Sequence, residues 1–160
     1  MALENWRELL AECGNPELAV AIARSIEALW REDRHSLVVD ASERHIAAEL
    51  ASHIRAQGLL SPDGEPWNVH VEYNRKGVKI KTVNGGEQVV IPDIILHRIG
   101  TDNNFLAIEL KKGVSPTPDD DDIKKLLAYK QPHELNYVHA LFLRLGVREM
   151  AGTVSCAIWA

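Results

Sequence analysis

Two kinds of periodicity, laid out in a fixed order, predict an α/β protein. Apolar residues recur at helical spacing in four stretches, and β-branched, apolar runs fall between and after them. From residue 40 onward the elements follow the order helix, strand, strand, strand, helix, strand. The 160 residues, 46% of them apolar, suffice for one domain with its own core. Residues 1–39 read as a helical extension and 40–160 as the core.

The chain opens with Leu3, Trp6, Leu9, Leu10 and Cys13 on one helical face. Gly14-Asn15-Pro16 ends that helix and starts a second, because proline suits a first turn. The second helix runs to about Asp33, with Leu18, Ile22, Ile26, Leu29 and Trp30 on one side. This pair could complete the core, form a dimer contact or hold substrate. A third helix begins at Asp40-Ala41-Ser42-Glu43, ends near Gly58 and turns Ile46, Ala47, Leu50 and Ile54 inward. Glu43 projects on the core side of its first turn; Asp40-x-x-Glu43 also reads as a capping box. His45 and His53, eight apart, lack a metal-ligand spacing.

Ser61-Pro62-Asp63-Gly64 is a turn, and Trp67 to Tyr73 alternates as a strand, with Val69 and Val71 opposite His70 and Glu72. Arg75, Lys76, Lys79 and Lys81 follow, either a phosphate-facing surface or a solvated strand face. Asn84-Gly85-Gly86 turns the chain back into the most apolar stretch. Val89-Val90-Ile91 through Ile94-Ile95-Leu96 predicts a strand covered on both faces. Thr101 to Asn104 supplies a turn and Phe105-Leu106-Ala107-Ile108 opens the next strand. After a loop over 113–118, Asp119–Asp122 reads as the acidic opening of a helix that buries Ile123, Leu126 and Leu127. This aspartate cluster lacks the alternating ligands and glycine of an EF-hand. Pro132 ends the helix; Tyr137–Leu145 and Thr153–Trp159 are apolar strands.

Three charges interrupt the two greasiest strands: Asp93 in the first, Glu109 and Lys111 in the second. Alternation puts Glu109 and Lys111 on one face and Ile108 and Leu110 on the other. If the strands pair as a hairpin, Asp93 comes close to that polar face. Two carboxylates and an ammonium on apolar strands are costly unless they hold something, and a divalent cation fits them. The plain alternative is an edge hairpin whose charges discourage aggregation.

Pro92-Asp93, fifteen residues, then Glu109-Leu110-Lys111 resembles the PD-(D/E)xK nuclease signature. Acid-x-Lys recurs at Asp122-Ile123-Lys124, and Pro-Asp at Pro62-Asp63 and Pro118-Asp119. Only the 92–111 pair lies inside apolar runs in the right order. The element order over about 40–145 matches that family's common core independently of the charges. The resemblance implies a restriction-endonuclease-like αβββαβ core with a mixed central sheet flanked by helices, and hydrolysis of phosphodiester bonds, in DNA rather than RNA. It implies Mg²⁺, with Mn²⁺ as substitute, held by Asp93 and Glu109, by the Leu110 carbonyl, and by Glu43 directly or through water. Lys111 would position or deprotonate the attacking water. Lys125-x-x-x-Tyr129 resembles the family's Gln-x-x-x-Tyr motif with lysine in place of glutamine. Arg75, Lys125, Tyr129 and His97 are the expected substrate contacts; His97, four residues after Asp93, shares its strand face unless a bulge intervenes. Small relatives often pair, so a homodimer is expected. The competing expectation is a nucleic-acid-binding or interaction protein that keeps this fold without cutting.

A net charge of −5 argues against nonspecific coating of nucleic acid, though it leaves room for a local basic surface. No apolar stretch is long enough to cross a bilayer, and the acidic start MALENWRELL does not resemble a signal peptide. Cys13 and Cys156 lack CxxC spacing, so a reducing cytoplasm is the expected setting.

Overall fold

A computed structural model of the chain describes residues 2–73, 75–76, 79–80, 82–83, 88–89, 91–132 and 134–160, with the side chains of 75–89 outside that description. The first four helices are α1 (Trp6–Ala11), α2 (Pro16–Glu32), a short α3 (Arg34–Val38) that the periodicity did not announce, and α4 (Glu43–Ala56). Helix α2 starts as expected: Pro16 lies in its first turn and the Asn15 side chain accepts from the Leu18 N–H at 3.1 Å. Helix α4 is capped instead by Ser42, whose hydroxyl accepts from His45 N–H at 3.1 Å. The Asp40-x-x-Glu43 capping box does not form, which leaves Glu43 free to reach elsewhere.

Five strands make one mixed sheet in the order β1 (Asn68–Val71), β6 (Ile94–His97), β7 (Asn104–Lys112), β8 (His139–Leu145), β9 (Val154–Trp159). β7 and β8 run parallel, and the other neighbours are antiparallel. Helix α5 (Asp120–Tyr129) makes the crossover between the parallel pair. Two short ribbons, β2 (Arg75–Lys76) with β3 (Lys79–Ile80) and β4 (Thr82–Val83) with β5 (Gln88–Val89), stand between β1 and β6 in sequence. The turn expected at Asn84-Gly85-Gly86 lies outside the described residues.

Strand alternation sorts the core into two layers. Ile94, Leu96, Leu106, Ile108, Leu110, Leu141 and Leu143 pack with α4 and with α1 to α3. Ile95, Ala107, Ala140, Phe142 and Cys156 pack with Leu126 and Tyr129 of α5. Residues 1–39 are not a separate layer. Leu10, Leu18, Ile22, Ile26, Leu29 and Leu37 are all fully buried in the same cluster as α4 and the sheet. Hydrogen bonds tie them down as well: Leu3 N–H to Val154 O at 2.8 Å, and the Trp159 indole Nε1–H to Leu10 O at 3.0 Å.

Three expectations need correcting. The run from Val89 to Leu96 is not one strand. Pro92 has no N–H to give a ladder, so β5 ends at Val89, Ile91 is exposed, and β6 begins only at Ile94. Glu72 does not share a face with His70. It takes a left-handed backbone (φ 50°) that ends the alternation, and pairs with Arg44 of α4 at 3.0 Å. Leu127 is 52% exposed; Asp122, Leu126 and Tyr129 form the buried stripe of α5.

Candidate functional site

The β6–β7 register builds the site. Ile94 lies opposite Ile108, so one step further back places Asp93 opposite Glu109. Although Asp93 precedes β6, its backbone is still anchored, its C=O accepting from Glu72 N–H at 3.1 Å. Its side chain crosses to β7, where Oδ2 accepts from the Leu110 N–H at 2.7 Å. Glu109 points from the middle of the sheet toward α5 and is only 4% exposed. Its Oε1 lies 3.7 Å from Lys125 Nζ, while Oε2 is enclosed with no hydrogen-bond partner among the described residues.

Burial dominates the electrostatics of this pair. It raises the Asp93 carboxyl above its ordinary range, against the pull of the Leu110 N–H and of Lys111; Glu43 adds to the rise. Glu109 is pushed up to about 7, by burial first and then by the Asp93 charge, with Lys125 and Lys111 opposing. Each carboxylate therefore feels the other, and both feel the same two lysines. Tyr129, buried beside them, keeps its proton: desolvation, Glu109 and Asp93 all raise its pKa.

The adjacent lysines of β7 have opposite fates. Lys111 is half-buried and its side chain makes no hydrogen bond or ion pair among the described residues, its charge acting on Asp93 and Glu109. Lys112 turns to the α4 side, where its Nζ meets Asp40 Oδ1 at 2.8 Å and Ala41 O at 3.0 Å. Asp40 holds a left-handed backbone (φ 57°) and bridges to Arg148 at 3.3 Å as well. This clamp fixes the loop before α4 against the end of β7. Glu43 completes the join, its Oε2 accepting from Lys112 N–H at 2.9 Å across 69 residues of sequence.

Asp93, Glu109, Leu110, Lys111, Glu43, Lys125 and Tyr129 are thus brought together. His97 is not. It shares the Asp93 face through Ile95 but lies roughly 13 Å further along the strand, beyond a register shift, and is 1% exposed. There its Nε2 sits 2.7 Å from His70 Nδ1, and Tyr73 packs 4.7 Å from its ring. The side chain of Arg75, with those of Lys76, Lys79 and Lys81, lies outside the described residues. Sequence reasoning missed Asp122, a buried acid whose charge acts on Glu109. The available signal was its position three before Lys125 and seven before Tyr129, on one helix face.

As a receptor for a cation the arrangement has two carboxylates from adjoining strands, one with an enclosed oxygen that lacks a donor. Among the described residues no three His, Cys, Asp or Glu side chains form a metal cage. The fit is to a hard, hydrated ion that keeps several waters rather than to a metal stripped of them. No described helix is long and apolar enough to cross a membrane. Comparison with known proteins found no family model, curated protein or solved structure that matches the chain.

Proposed function

We propose that this chain is a metal-dependent nuclease of the restriction-endonuclease-like fold, hydrolysing phosphodiester bonds in DNA through a PD-(D/E)xK site. The observation that carries the reading is the placement of Asp93 opposite Glu109, on the face where Lys111 acts on both. The order α4, β1, β6, β7, α5, β8 supports it, since it reproduces the αβββαβ succession without reference to any charged residue.

In this reading Asp93 and Glu109, with the Leu110 carbonyl, hold Mg²⁺ or Mn²⁺. Glu43, already bonded to the Lys112 amide, acts through water. The bound cation supplies Lewis acidity at the phosphate and an acidified water. As an ammonium Lys111 would orient that water and steady the developing charge; only as the neutral amine would it take up the water's proton. The Leu110 N–H keeps the Asp93 carboxylate aimed at the site, and Lys125 offers an ammonium to a phosphate oxygen. The tyrosine hydroxyl stays protonated and serves as a donor. The protein would act as a homodimer, which gives each strand of a duplex its own site.

The second reading is a non-cutting nucleic-acid-binding or interaction protein. One observation favours it: Lys125 stands 3.7 Å from Glu109, where an ammonium takes the place of a metal's charge. Incubating the protein with plasmid, single-stranded DNA and RNA, each with Mg²⁺, Mn²⁺ or chelator, separates the two. Cutting that needs the metal and vanishes in Asp93→Ala and Lys111→Ala establishes the first; binding without cutting establishes the second.

A further inference from the structure

We propose that Asp122 is a further acid of this site, receiving a hydrated divalent cation between its own Oδ2 and Glu109 Oε2. This rests on the cation-dependent reading above and adds a residue that neither motif contains. Asp122 and Glu109 are each 4% exposed, and each has one fully enclosed oxygen without a partner among the described residues. An enclosed carboxylate oxygen lacking a donor is strongly disfavoured, and the charge of Asp122 adds to that cost at Glu109. The helix explains why the Asp122 charge acts on Glu109. Lys125 reaches Glu109 from α5, and Asp122 lies one turn before it on the buried stripe that Tyr129 closes.

Alternative roles for Asp122 find no support in its contacts. Its carboxylate makes no hydrogen bond with any described residue, so it is not returning to cap α5. Lys125 approaches the other oxygen of Glu109, Oε1, and leaves the enclosed Oε2 without a partner among the described residues. Asp93, Glu109, Asp122 and Glu43, set against Lys111 and Lys125, leave two negative charges when all are ionised, the charge one divalent ion neutralises. Two carboxylates are enough for such an ion because it keeps part of its water shell.

The test is Mn²⁺ alone, titrated into the full chain and followed by electron paramagnetic resonance and calorimetry, with no nucleic acid present. Wild type, Asp93→Asn, Asp122→Asn and Asp122→Ala are compared, with circular dichroism to show each is folded. We expect both Asp122 variants to bind Mn²⁺ at least tenfold more weakly than wild type. A smaller loss in both, alongside weakened binding in Asp93→Asn, overturns the role of Asp122 and leaves the proposed function standing. Absence of Mn²⁺ binding by wild type overturns both.

Discussion

Glu109 is the residue on which the proposed chemistry and the stability of this protein pull in opposite directions. Its carboxyl is raised from 4.5 to about 7 in the fold, chiefly by burial. Between those values the unfolded chain has lost the proton while the folded chain keeps it, so stability falls as pH rises through this window and levels off above it. Glu109→Gln removes the ionisation and keeps the shape. In chelator, the variant should therefore gain on wild type from about pH 4.5 upward, by up to roughly 3 kcal/mol above pH 7. Urea unfolding across this range checks it; a difference independent of pH would contradict it. The paired lysines give a second contrast. Lys111→Ala should cut metal-dependent cleavage by about 10²- to 10⁴-fold with little change in unfolding. Lys112→Ala should instead lower the unfolding midpoint by removing the Asp40 and Ala41 contacts of its ammonium, while leaving Asp40 its bridge to Arg148. Strand alternation alone told Lys111 from Lys112. It did not tell that Lys112 clamps Asp40, because that partner stands 72 residues away and in a left-handed conformation.

Helix α5 shows where periodicity reads well and where it misleads. The acidic start and the side-by-side placement of Lys125 and Tyr129 were both legible, while the helix stops at Tyr129, short of Pro132. The buried stripe was not, because hydrophobicity ranks Leu127 above Asp122, whereas the sheet's polar face calls for the aspartate. Leu126→Ala should cost about 2–5 kcal/mol, while Leu127→Glu should change stability by less than about 0.5 kcal/mol; thermal unfolding of the two decides. The strand carrying Asp93 was misjudged in length for a related reason. Val89-Val90-Ile91 has the composition of a covered strand, but the missing amide of Pro92 separates it from β6. That break delivers Asp93 at the mouth of the strand, opposite Glu109 and bonded to the Leu110 amide.

For the whole molecule, element order was readable and layer membership was not. The mixed α/β class and the five-stranded sheet with helices agree with expectation, and α4, β1, β6, β7, α5 and β8 keep the expected order once the short ribbons β2–β5 are set aside. Nothing in residues 1–39 revealed that their apolar faces cover the same side of the sheet as α4. Their removal would strip fully buried leucines and isoleucines of their partners and expose that side of the sheet. A chain beginning at residue 40 should consequently lose cooperative unfolding, which far-UV circular dichroism on heating would record; an independently folded 40–160 would show that the extension is dispensable. The sheet brings the site together from three separate regions, around residues 43, 93–111 and 122–129, so its chemistry depends on the intact fold. The most direct measurement is single-turnover cleavage of supercoiled plasmid by purified wild type and Asp93→Asn, in Mg²⁺ and in chelator. The account predicts cutting by wild type in Mg²⁺ alone. Equal cutting by Asp93→Asn, or none by wild type with either Mg²⁺ or Mn²⁺, would contradict it.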